Sequence, residues 1–98
     1  MARLGFIHEK LDIKILILFI LRRLPGEVEP ETLCELCQCD GGIDYFDYSD
    51  CLSDLIETGH IKETPTGYTI TDKGAKNAEA VESSLPYSVR MKALKLLA

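Results

Sequence analysis

The stretch KLDIKILILFILRRLPG, residues 10–26, restricts the possible folds more than any other part of the chain. Leu11, Ile15, Leu18, Phe19 and Leu21 recur at helical spacing, and Pro25-Gly26 ends the pattern. Ile13, Leu16, Ile17 and Ile20 are apolar as well, so nearly the whole circumference of this helix is greasy. Such a helix needs cover on more than one side. A chain of 98 residues has little core to spare. The expectation is therefore a homodimer in which Ile17 of this helix and Leu94 and Leu97 near the C-terminus build the interface. The unbroken apolar run, Ile15–Leu21, is seven residues long and is bounded by Lys14, Arg22 and Arg23. A membrane span takes about 20 apolar residues, so no membrane association is expected. Met1–Leu11 carries Arg3, Glu9 and Lys10 and has no signal-peptide pattern, which points to a cytoplasmic protein.

Further along, Glu29-Pro30-Glu31 opens a short second helix, about 30–38, with proline in its first turn and acids at its positive end. Cys39-Asp40-Gly41-Gly42 reads as a turn. A third helix is expected over 47–58, with Asp47 as its N-cap and Gly59 as its stop. His60–Thr64 and Tyr68–Thr71 are β-prone runs around Pro65-Thr66-Gly67, which predicts a hairpin over about 60–71. Thr71 or Asp72 caps a fourth helix, about 73–83, and Pro86 starts a fifth, about 87–98. The last ends in full helical pattern, as the N-terminal part of a longer protein would.

Three helices, a hairpin and further helix is the order of a mainly α winged helix-turn-helix with an additional C-terminal helix, here one domain over 1–98. LSDLIETGHI (52–61) looks like a recognition helix running into the first wing strand, and YTITDKG (68–74) like the second wing strand entering a helix. With KLDIKILILFILRRLP (10–25), DYFDYSDCLSDLIETGHI (44–61) and SSLPYSVR (83–90), the chain resembles an uncharacterised family of bacterial winged-helix proteins labelled as transcriptional regulators. The resemblance implies the fold and a regulatory role, and it implies no catalytic residues.

The cysteines Cys34, Cys37, Cys39 and Cys51 raise the question of a metal. Cys34-x-x-Cys37 has the spacing of half a zinc site, but both fall within a helix, where thiolates do not converge as they do on a turn. Cys37 and Cys51 lie on inward faces and read as small core residues. No metal and no cofactor are expected. His60 has no neighbouring nucleophile, Asp47 and Asp50 suit caps better than an acid–base pair, and Asp40-Gly41-Gly42 lacks the Gly-Lys-Ser/Thr of a phosphate loop. The chain does not read as an enzyme.

Charge is divided sharply. Between Leu24 and Ile61 there is no Lys or Arg and there are ten acids, while the rest of the chain carries all 11 Lys and Arg. Phosphate neutralisation supplies most non-specific DNA affinity, so this division runs against the usual job of a helix-turn-helix. The outward face of the third helix holds Ser49, Asp50, Ser53, Asp54 and Glu57. Two functions follow. One is a homodimeric regulator that binds duplex DNA through Tyr45, Ser49, Ser53, Lys62 and Thr66, helped by Arg22 and Arg23. The other is a protein-interaction or dimerisation module whose acidic face, Asp50, Asp54 and Glu57, docks a basic partner.

Overall fold

The computed structural model describes residues 10–24, 26–38, 43–85 and 87–97, without the side chain of Leu97. The expected turn at 39–42, Pro25 as the expected stop of the first helix, Pro86 as the expected start of the fifth, and Ala98 lie outside the described residues.

Helix α1 (Lys10–Arg23) is the centre of the fold. Ile13 and every residue from Ile15 to Leu21 are buried, and Leu16, Ile17 and Ile20 have no exposed surface. The cover comes from the chain itself. Helices α2 (Pro30–Cys37), α3 (Tyr45–Glu57) and α4 (Asp72–Val81), the second hairpin strand and the 3-10 turn Glu82–Ser84 all pack on α1. The reason for expecting a dimer through Ile17 therefore disappears: elements wrapped around α1 within one chain already bury Ile13 and Ile15–Leu21, while Lys10 and Leu11 stay exposed. Leu94 is partly exposed on α5 (Tyr87–Leu97), whose inward residues are Val89 and Ala93.

Helix α3 begins two residues earlier than expected. Asp44 is the N-cap, and its carboxylate accepts from the Phe46 amide at 2.7 Å. Asp47 falls in the first turn, where an acid still opposes the positive helix end. At the other end the Gly59 amide donates to the Ile56 carbonyl and the His60 amide to the Leu55 carbonyl. That pair of bonds is a Schellman motif. It requires a left-handed residue, which Gly59 supplies with φ +82°. The chain then enters the hairpin directly.

Strands β1 (Ile61–Thr64) and β2 (Gly67–Ile70) pair antiparallel, with Ile61 opposite Ile70 and Thr64 opposite Gly67. Val28, between α1 and α2, adds an antiparallel bridge to Tyr68, with the two backbone bonds at 2.8 and 2.9 Å. A Cβ at Gly67 would lie 2.3 Å from the Val28 carbonyl oxygen, so only glycine admits this approach. The Glu27 carboxylate reinforces it by accepting from the hydroxyls of Thr64 and Thr66, and these bonds hold its pKa below the ordinary carboxylate value, Thr64 contributing most. Thr71 caps α4 by accepting from the Gly74 amide at 3.1 Å. The chain is thus mainly helical with an antiparallel hairpin after three helices, an arrangement consistent with a winged helix. No helix among the described residues is long and apolar enough to cross a membrane.

Candidate nucleic-acid interface

The inward face of α3 is Tyr48, Cys51, Leu52 and Leu55, all buried. This leaves Tyr45, Ser49 and Ser53, at i, i+4 and i+8, as one exposed stripe along the helix. Tyr45 is 60% exposed. Beside it stands Phe46, 76% exposed, with its ring edge-on to that of Tyr45 at 5.9 Å. Sequence reasoning missed Phe46 because it started the helix at Asp47. Asp44 was the available signal: an N-cap there puts Phe46 in the first turn on the outward side.

Asp50 and Asp54 flank the stripe on the side facing α1. Lys10 Nζ lies 3.2 Å from Asp50 Oδ2, and Lys14 Nζ lies 3.2 Å from Asp54 Oδ2. The Asp50 bond is the main cause of a raised Lys10 pKa. Both lysines and both aspartates are spaced i, i+4, so two helical rows meet in register. The Cys51 thiol, between the aspartates, donates to the Lys10 carbonyl at 3.3 Å, and burial raises its pKa. Glu57 is exposed and makes no ion pair among the described residues, as is also true of Glu31 and Glu35 on α2.

Arg22 and Arg23, offered above as DNA contacts, are occupied elsewhere. Glu82 accepts from both nitrogens of the Arg23 fork at 3.0 Å, and Arg22 reaches Glu82 at 3.3 Å and Glu79 at 3.1 Å. Arg23 also stacks over the Phe19 ring, 3.7 Å from its centroid. The Arg23 bond is the main cause holding the Glu82 carboxyl below its ordinary pKa. Lys62 is exposed on β1, and Thr66 is exposed with its hydroxyl committed to Glu27. The structure therefore brings Tyr45, Ser49 and Ser53 together on one stripe and leaves Arg22 and Arg23 bound to α4 and the 3-10 turn.

Cys37 and Cys51 are fully buried core residues, Cys34 is partly buried, and Cys39 lies outside the described residues. The Tyr48 hydroxyl is buried without a hydrogen-bond partner among the described residues, and burial raises its pKa. No group of three or more metal-ligating side chains is assembled among the described residues.

A family model described as a domain of unknown function, DUF4364, matches residues 13–98. The chain belongs to DUF4364. The match runs from within α1 through α5, including the stripe on α3 and the Lys14–Asp54 pair, and leaves out Lys10. The family description names neither a fold nor an activity, so it lends nothing to the regulator label of the resemblance. No curated protein and no solved structure matches the chain.

Proposed function

We propose that this DUF4364 chain is a winged helix-turn-helix that acts as a transcriptional regulator by binding duplex DNA. The element order supports the fold: three helices precede a hairpin, and the Val28–Tyr68 bridge adds a short third strand position beside that hairpin. In such folds the third helix enters the major groove. The observation that carries the reading is the state of α3. Its exposed stripe offers two hydroxyls and a phenol, groups that can meet base edges or phosphates. The two aspartates beside that stripe are already neutralised by Lys10 and Lys14. Two of the ten acids between Leu24 and Ile61 are thereby paired inside the chain, and they are the two that flank the stripe. A homodimer belongs to this reading as the means of placing two α3 helices on successive half-sites, and α5, with Met91 and Leu94 partly exposed, is the surface left for it.

A second reading rests on Phe46 and Tyr45. Two exposed aromatic rings in the first turn of α3, beside Asp47, which makes no ion pair among the described residues, suit a basic protein partner.

A labelled random duplex titrated across salt concentrations separates the two. Wild type should bind weakly, near or above the non-specific range of about 10⁻⁴–10⁻⁶ M. The triple change Asp50→Asn, Asp54→Asn, Glu57→Gln should tighten binding several-fold at low salt. It removes three carboxylates and frees Lys10 and Lys14 for phosphate. If neither form binds duplex at low salt while wild type alone binds a lysine-rich peptide, the docking reading replaces the regulator.

A further inference from the structure

A groove of about 480 Å³ opens where α1, the end of α3 and α4 meet. Its floor is apolar, made by Ile15 and Leu18 of α1, Leu55 of α3 and Val81 of α4. Leu11 stands at its edge, 64% exposed. Small-molecule sites are concave, largely apolar, about 300–1,000 Å³ in volume, and carry a few polar groups that orient the ligand. The groove has this make-up.

Its polar lining has one sign. The chain has 16 acids against 11 Lys and Arg, yet no Asp or Glu lines the groove among the described residues. Lys14 does, together with His60 and the neutral groups of Asn77, Thr58 and the adjacent serines. The Lys14 side chain is about one-third exposed. Its ammonium has three donors, so the bond to Asp54 leaves capacity for a second acceptor. The His60 pKa is held below its ordinary value by burial first, then by the charges of Lys73 and Lys14.

We propose that this groove binds a small apolar carboxylate, its hydrocarbon body on the Ile15–Leu18–Leu55–Val81 floor and its carboxylate on Lys14. Complementarity selects the class. A neutral apolar ligand would leave the donors of Lys14 not taken by Asp54 without an acceptor in the groove, and a cation would meet the Lys14 charge with no carboxylate among the described lining residues. The inference does not depend on DNA binding, because the ligand is read directly on the protein.

Decanoate and decanol, below micelle-forming concentrations, serve as probes for the full chain by calorimetry and by ¹H–¹⁵N chemical shifts. Decanoate should bind saturably, one to one, with shifts centred on the facing parts of α1, α3 and α4. Decanol should bind roughly tenfold more weakly, the worth of one charge-assisted hydrogen bond. Lys14→Met should bring decanoate down to the decanol level. Ala80→Phe, which adds a ring to the groove from the exposed side of α4, should abolish binding of both. Lys14→Met keeps the test decisive if Ala80→Phe fails to fold. Three outcomes would overturn the proposal: no saturable binding, equal affinity for the acid and the alcohol, or binding that emerges only when residues 1–9 are removed. The last would make the chain's own N-terminal segment the occupant.

Discussion

At its N-terminal end α1 gives Lys10 and Lys14 to Asp50 and Asp54 of α3; at its C-terminal end it gives Arg22 and Arg23 to Glu79 and Glu82. Both ends join α1 to a later part of the chain by opposite charges. Their surroundings differ. The Lys10–Asp50 side chains are 54% and 65% exposed, whereas those of Arg23 and Glu82 are 27% and 19% exposed. The Glu82 carboxylate also meets a two-pronged guanidinium that is fixed on the Phe19 ring. Planar, two-point pairs are the strong ones, and exposed lysine–carboxylate pairs contribute little. One end of α1 therefore holds the fold together, and the other shapes the potential around α3. Arginine at the first and lysine at the second fit that division.

The largest effect should come from between the two ends. Ile17 has no exposed surface, so Ile17→Ala should cost about 2–5 kcal/mol. That is a large share of a total that is about 5–15 kcal/mol in ordinary domains. Ile17→Glu buries a charge without a partner and should not fold. Denaturant titration checks the first and circular dichroism the second. A soluble, folded monomer of Ile17→Glu would break the comparison at its root, because α1 would then be covered by a second chain.

Next comes the arginine end. Replacing Glu82 with Ala removes the acceptor for Arg23 and most of that for Arg22, and should cost about 1–3 kcal/mol near neutral pH. The pH dependence has a definite sign. The folded Glu82 pKa lies below the ordinary 4.5, so its contribution is complete above that value and is lost as pH falls through the lowered folded value. The gap in melting temperature between wild type and Glu82→Ala should hold from neutral pH to about 5 and close in stronger acid. A gap that grows on acidification would contradict the pairing.

The same contrast explains which parts could be read from the sequence. The greasy period of α1, the Gly59 stop and the Thr-rich hairpin are local signals, and each sets its element whatever lies around it. The start of α3 was misplaced by the choice of Asp47 as its cap, although Asp44 three residues earlier is equally able to cap. The cover on α1 was invisible, since burial depends on how α2, α3 and α4 wrap around it. The acidic partners of Arg22 and Arg23 were invisible for a similar reason: Glu82 lies about 60 residues away, and only the tertiary fold brings it there. The lysine–aspartate row left a faint trace in the matched i, i+4 spacing of Lys10/Lys14 and Asp50/Asp54. That trace selects a partner only once α1 and α3 are known to lie side by side.

The smallest effect is the sharpest test of the division. A double-mutant cycle on Lys14→Met and Asp54→Asn isolates their coupling from other losses. The Lys14 and Asp54 side chains are 32% and 54% exposed, so the coupling should fall within about 0–1 kcal/mol. It should also fade as salt rises, because the Debye length shortens from about 10 Å at 0.1 M to about 3 Å at 1 M and exposed charges are screened more than buried ones. The matching cycle on Arg23→Met and Glu82→Gln should give a larger coupling that salt weakens less, since those groups are mostly withdrawn from solvent. The two cycles, measured by denaturant unfolding at low and high salt, stand or fall together. If the lysine pair proves as strong and as salt-resistant as the arginine pair, both ends of α1 serve stability. The neutralised aspartates beside Tyr45, Ser49 and Ser53 would then be a by-product of folding, and α3 would lose its claim to a surface tuned for phosphate.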